Sequence, residues 1–139
     1  MSGSDRVPGG ERLVADAGRA RDKAIAPYSM FKVGAALLAK DGTIVTGCNI
    51  ENASYGLTMC AERVALFKAL SDGHRDFTAV AVVTGADDLT PPCGACRQLL
   101  WEYCGDILVV LANTNGQTAT HRLGELLPHP FGLLTGDDR

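Results

Sequence analysis

An α/β fold, with helices on both faces of one mixed sheet, is what this 139-residue sequence predicts. Three observations carry the prediction. Asp41-Gly42 is a hairpin turn signal between two strand-like runs, residues 31–39 and 43–49, which should therefore pair antiparallel. Residues 77–84 and 107–111 are continuous apolar runs rich in Val, Ile and Leu, the pattern of strands buried on both faces. Helix-like segments alternate with these runs, which places helices against the sheet rather than in a separate bundle.

The elements follow in order. Residues 1–10 are rich in Gly and Ser and are read as a disordered segment ahead of a single domain, residues 11–139. In residues 11–25, Leu13, Val14, Ala17, Ala20, Ala24 and Ile25 recur at helical spacing, and Pro27 ends the helix. After the hairpin, residues 51–57 carry the Asn, Ser, Tyr and Gly of a loop. A second helix runs from Cys60 to Leu70 and stops at Asp72-Gly73. Its Val64, Leu66, Phe67 and Leu70 form an apolar stripe wide enough for a core and an interface. Residues 85–92 form a loop leading to a third helix, residues 93–104. The strands on either side of that helix are predicted parallel, joined by a right-handed crossover. Asn115-Gly116 is a turn, residues 118–122 a short strand, and residues 123–127 a helical turn before Pro128.

Composition excludes several classes. Hydrophobic residues make up 46%, enough for a packed core. The net charge of −3 argues against a polynucleotide partner, which calls for a basic patch. No apolar run reaches the roughly 18 residues of a membrane span. The first ten residues lack the apolar stretch of a signal peptide, so a cytoplasmic location is expected. In that compartment a C-x-x-C pair points to metal or redox chemistry rather than a disulfide.

Two short stretches concentrate the chemistry. Thr58-Met59-Cys60-Ala61-Glu62-Arg63 holds one cysteine with a carboxylate two residues on, and Pro91-Pro92-Cys93-Gly94-Ala95-Cys96-Arg97-Gln98 holds a C-x-x-C pair behind two prolines. Three thiolates suit Zn²⁺, and three protein ligands leave the open position that marks a catalytic rather than a structural zinc. Pro92 is placed to open a helix, in which Cys93 and Cys96 share a face. Cys60 and Glu62 reach one site only if Cys60 lies at the helix edge. Zn²⁺ with three thiolates carries formal charge −1, so positive charge is needed nearby. Two helix N-termini and Arg63 are the candidates to supply it. Cys48 and Cys104 lack such a setting and are read as core residues; His74, His121 and His129 follow no ligand spacing and are read as surface residues. Asn49 and Glu51, two apart in extended chain, face one side, as do Phe31 and Val33.

The C-x-E and P-C-x-x-C pair resembles the signature of the zinc nucleobase and nucleoside deaminases, in particular the small all-cysteine cytidine deaminase branch. The stretches Ala26-Pro27-Tyr28-Ser29-Met30-Phe31-Lys32-Val33-Gly34-Ala35-Ala36, Gly47-Cys48-Asn49-Ile50-Glu51-Asn52-Ala53-Ser54-Tyr55-Gly56 and Leu126-Leu127-Pro128-His129-Pro130-Phe131 extend the likeness over residues 11–131. The resemblance implies a three-layer α-β-α fold with five strands, and one Zn²⁺ per subunit on Cys60, Cys93 and Cys96. It implies hydrolytic deamination of cytidine and deoxycytidine in pyrimidine salvage. Glu62 is then the proton shuttle between water, ring N3 and the leaving amine. Asn49 and Glu51 hold a ribose hydroxyl, Phe31 and Val33 wall the pyrimidine slot, and the Ala61 backbone contacts the base. It also implies a homotetramer in which Tyr55 and Phe131 reach a neighbouring subunit's site. Three other readings compete: a deaminase of a blasticidin-type nucleoside antibiotic, a polynucleotide deaminase, and a zinc-stabilised binding module. The Asn49–Glu51 pair favours cytidine over the first, charge disfavours the second, and Glu62 with the missing fourth ligand disfavours the third.

Overall fold

The computed structural model describes residues 7–132. Its elements are α1 (Gly10–Arg21), β1 (Val33–Ala39), β2 (Ile44–Cys48), α2 (Ala61–Ser71), β3 (Phe77–Thr84), α3 (Gly94–Cys104), β4 (Leu108–Asn113), β5 (Thr118–Arg122) and α4 (Leu123–Leu126). The strands form one five-stranded sheet in the order β2-β1-β3-β4-β5. β3 and β4 pair in parallel around α3. The other three pairings are antiparallel, including the β1–β2 hairpin. Gly42, at the predicted hairpin turn, takes φ +95°, a conformation few other residues tolerate. This is the mixed α/β sheet that the sequence predicts.

Strand alternation divides the core into two layers. Ala35, Leu37, Val80, Val82, Val109 and Leu111 point to one face, where they pack with Ala61, Ala65, Leu66 and Ala69 of α2, Leu100 of α3 and Leu123 of α4. Their sequence neighbours Ala36, Ala79, Ala81, Val83, Val110 and Ala112 point to the other face, against Leu13 and Ala17 of α1. The second layer is mostly alanine, so α1 lies close to the sheet.

Several expectations shift. α1 starts at Gly10, and Val7 packs against the α1 layer, so residues 7–10 belong to the folded unit; residues 1–6 of the segment read as disordered lie outside the described residues. The helix ends at Arg21 rather than Ile25, because Ile25 leaves it to bridge to Ile50. The first strand begins at Val33, two residues after Phe31, because the preceding turn is held by Met30 N–H donating to the Ala26 carbonyl. Cys48 and Cys104 are half-buried; Cys104 packs against the core as read, at its margin. The α2 stripe splits: Leu66 is buried while Phe67 is exposed. His74 and His121 are half-buried and His129 exposed.

One contact that the sequence did not announce fixes α2 against the sheet. A Cβ on Gly47 of β2 would lie 2.5 Å from the Ala65 nitrogen and 2.6 Å from the Ala61 oxygen, both backbone atoms of α2. Only hydrogen fits there. Gly47→Ala is expected to destabilise the protein by about 1–3 kcal/mol through overpacking, and to lower bound metal, since it displaces the helix start that carries Cys60. Gly18 of α1, where an added Cβ would meet nothing within 4 Å, is the control. Gly18→Ala should stabilise by about 0.5–1 kcal/mol, the helical cost of glycine. Denaturant unfolding of the two variants beside the parent checks both signs.

Candidate metal centre and cleft

The two site helices open on cysteine. Cys60 is the residue before α2 and Cys93 the residue before α3; both are extended, with ψ of 151° and 166°. Neither uses its sulfur to cap its own helix. Instead the sulfurs turn toward each other: Cys60 Sγ and Cys93 Sγ are 3.9 Å apart, and Cys93 Sγ donates to Cys96 Sγ at 3.4 Å. All three lie within 4.8 Å of one another. Tetrahedral zinc with bonds of about 2.3 Å needs sulfurs roughly 3.8 Å apart, so the cluster fits that ion in both chemistry and spacing. Cys93 stands just outside its helix rather than on its face, and the extended turn still brings its sulfur to Cys96.

Charge at the cluster is balanced from behind. Arg63 Nη2 donates to Cys60 Sγ at 3.3 Å, and Arg63 Nε is buried without a hydrogen-bond partner. The Cys60 thiol is pushed down to about 5, first by a hydrogen bond from Cys96 and then by Arg63. Cys96 is pushed up, because its thiol donates that bond and is buried. Arg63 is held more firmly protonated, chiefly by Cys60. Both neighbours thus favour the thiolate form at Cys60. Arg63, the residue to which the sequence reading gave a charge-tuning role, lies against the Cys60 sulfur.

Beside the cluster is a cleft of about 260 Å³, whose walls include Ser29, Phe31, Val33, Asn49, Glu51, Cys60, Ala61, Glu62 and Cys93. Glu62, the second residue of α2, is 5% exposed, and burial raises its carboxyl above the ordinary range. A group shifted that way both takes and returns protons more readily near neutral pH. Asn49 is buried and ties two chain segments together: its Oδ1 accepts the Val33 N–H at 2.9 Å and its Nδ2 donates to the Phe31 carbonyl at 2.8 Å. Glu51 is held by the 28–29 turn. Its Oε1 accepts the Tyr28 and Ser29 N–H groups, each at 3.0 Å, and its Oε2 accepts the Ser29 hydroxyl. These bonds, the Ser29 hydroxyl first, lower its pKa.

Eight of the sequence-assigned residues therefore meet in one cleft, with Cys96 and Arg63 behind it. Tyr55 and Phe131 do not line it. Tyr55 is 75% exposed and packs edge-on against Tyr28, centroids 6.1 Å apart. Phe131 is 70% exposed, its carbonyl accepting Gln98 Nε2 at 2.6 Å. Ser29, Thr58, Met59, Val82, Thr90 and Pro91 complete the walls and were not given roles from sequence. Thr58 stands two residues before Cys60 in extended chain and Thr90–Pro91 directly precede the C-x-x-C, so proximity to the ligands was an available signal. A larger hollow, about 730 Å³, opens beside α1 between Val7, Val14, Val110 and Thr120. It is remote from the sulfur cluster and carries none of its chemistry.

Comparison with known proteins places this arrangement in a class defined by its metal centre. The chain belongs to the cytidine and deoxycytidylate deaminase zinc-binding family, whose pattern matches residues 10–112. It is 53% identical to a cytidine deaminase of Halalkalibacterium halodurans over 129 residues, 92% of this chain and 96% of that one. The crystal structure of a cytidine deaminase from Burkholderia pseudomallei superposes with a TM-score of 0.85 at 51% identity, covering 87% of this chain and 98% of that one. A blasticidin-S deaminase of Bacillus cereus is more distant, at 36% over 104 residues, 69% of this chain and 74% of that protein.

If Arg63 offsets the thiolate charge, Arg63→Gln should weaken zinc binding by about ten- to a hundredfold, the usual effect of losing a partner of a metal ligand. Competition with a chromophoric chelator measures it. Unchanged affinity would remove Arg63 from the metal centre.

Proposed function

We propose that this protein hydrolyses the C4 amine of free cytidine and deoxycytidine, giving uridine or deoxyuridine and ammonia, as a step of pyrimidine salvage in the cytoplasm. The observation that carries the proposal is one cleft beside a three-cysteine cluster, lined by a buried carboxylate and by the polar pair Asn49 and Glu51. Cys60, Cys93 and Cys96 would hold one zinc ion per chain. Bound there, zinc supplies the Lewis acidity that makes water a nucleophile at neutral pH. Glu62 takes one proton from the attacking water and passes it to ring N3, then takes the second from the hydroxyl now on C4 and gives it to the amine as the C4–N bond breaks and the C4 carbonyl forms. Its raised pKa supports both directions of transfer. Phe31 and Val33 wall the pyrimidine, the Ala61 backbone faces the base, and Asn49 with Glu51 receives a sugar hydroxyl.

Charge and size favour a nucleoside over a nucleotide or a polynucleotide. Among the described residues no lysine, arginine or histidine lines the cleft, whose volume of about 260 Å³ suits one small ligand. The 53% relative against the 36% one favours cytidine over a blasticidin-type antibiotic. Ligand use of cysteine fits a reducing compartment, and no helix among the described residues is long and apolar enough to cross a membrane.

Assembly into a homotetramer belongs to the same proposal. Tyr28, Met30, Tyr55, Leu57 and Phe131 are large apolar side chains at least half exposed on the one chain, and contact with other copies would cover them. In that assembly Phe131 and Tyr55 close a neighbour's cleft over the base.

Two experiments test this reading. Glu62→Gln should retain zinc and nucleoside binding while losing at least the roughly 10²–10⁴-fold typical of general acid–base catalysis, read as the fall of cytidine absorbance near 280 nm; near-parental turnover would take Glu62 out of the mechanism. Mixing Glu62→Gln chains with Phe131→Ala chains should restore activity that neither has alone, because some sites then combine an intact Glu62 with a partner's aromatic. An active monomer in sedimentation at assay concentration would end the shared-site idea.

A further inference from the structure

We propose that Ser29 is a positioning residue of the sugar clamp: its hydroxyl aims Glu51 so that the clamp accepts a single hydroxyl which must both donate and accept a hydrogen bond. The inference rests on the functional reading above and deepens it.

The argument is a count of hydrogen-bonding capacity. A carboxylate offers about four lone-pair sites. Glu51 spends two on Oε1, for the Tyr28 and Ser29 N–H groups, and one on Oε2, for the Ser29 hydroxyl. One acceptor site remains, on Oε2. An amide NH₂ offers two hydrogens. Asn49 Nδ2 gives one to the Phe31 carbonyl, while its Oδ1 accepts the Val33 N–H with one of its two lone pairs. One donor hydrogen remains. Both residues line the cleft. Among these free capacities, one acceptor and one donor match a hydroxyl that donates to Glu51 and accepts from Asn49.

Ser29 decides where that acceptor points. Its Oγ donates to Glu51 Oε2 and accepts the Phe31 N–H at 3.0 Å. The hydroxyl therefore has its donor and one acceptor site engaged, in one orientation, although the residue is exposed. Without it Oε2 keeps no neighbour in the turn, and the carboxylate can pivot about Oε1. The same oxygen links the sugar clamp to Phe31 at the base wall, so sugar and base are registered against each other.

The test is a cycle between Ser29→Ala and substrates that lack one hydroxyl. Cytidine and its 2′-deoxy, 3′-deoxy and 5′-deoxy forms are assayed with the parent, Ser29→Ala and Ser29→Thr. For cytidine, Ser29→Ala should lower kcat/KM roughly tenfold, about one hydrogen bond to a charged group, with zinc content and melting temperature unchanged. One deoxy analogue should already be poor with the parent and lose less than about twofold more on Ser29→Ala; that analogue identifies the clamped hydroxyl. Ser29→Thr, which keeps the hydroxyl, should recover most of the cytidine activity. Equal losses on all four substrates would mean Ser29 only shapes the turn, and no loss on cytidine would mean it does nothing; either overturns the assignment. A parent that fails on cytidine would instead sink the functional reading itself.

Discussion

Three sulfurs drawn within 4.8 Å of one another, with a buried carboxylate beside them, are the constraint on which the rest of this structure depends. Anionic groups repel at that range, and burial removes the water that would screen them. The fold answers with positive charge from two sources. α2 and α3 both begin at the cluster, so their free N–H groups and partial positive ends face it. Arg63 adds a full charge against Cys60. Arg63 Nε, buried and unpartnered in the chain alone, is the sign that the arrangement serves something besides packing.

Sheet order makes the convergence possible. β1 and β3 lie side by side at the centre of the sheet, with β2 outside β1 and β4 beyond β3. α2 follows the hairpin and α3 follows β3, so two segments distant in sequence start helices at neighbouring points. Close packing then sets the distance. Gly47 lets the α2 backbone rest on β2, and Ala61, Ala65 and Ala69, three of the α2 residues in that layer, keep the helix low over the strands. The cleft's polar side is fixed separately, by hydrogen bonds rather than packing. Ile25 and Met59 bridge to Ile50 on its two sides, which holds residues 49–51 extended and presents Asn49 and Glu51 to the space beside the metal ligands.

Much of this was legible because the signals were local. Residues 77–84 match β3 at both ends, since a run of Val and Ala between Phe and Gly leaves no competing period. β5 was bounded equally well by Asn115-Gly116 and the helical turn that follows. The ligands were legible because metal coordination restricts residue type and spacing together. The end of α1 was not. Ala24 and Ile25 keep the helical period, but pairing with Ile50 outweighs two more residues of helix. Gly47 and Ser29 were illegible for a different reason: each matters through a partner far along the chain, Ala61 and Ala65 for one and Glu51 for the other. A single sequence names the residue and leaves its partner unspecified.

Tyr55 and Phe131 illustrate the same limit at the level of assembly. As side chains of one chain they are mostly exposed, with little apolar surface removed from water. Tyr28 touches Tyr55 only edge-on, and Phe131 is anchored by its backbone while its ring stays outside. Exposed aromatic surface is unfavourable in water, by about 25 cal/mol for each Å² that burial would remove. Deamination is also favoured by a dry cleft, where the Glu62 carboxyl keeps its raised pKa and water enters only as reactant. The proposed tetramer joins these two facts. Burial of the exposed rings would stabilise association, and the same burial would close the cleft, so that the folding of one chain leaves a site whose last wall is supplied by the next.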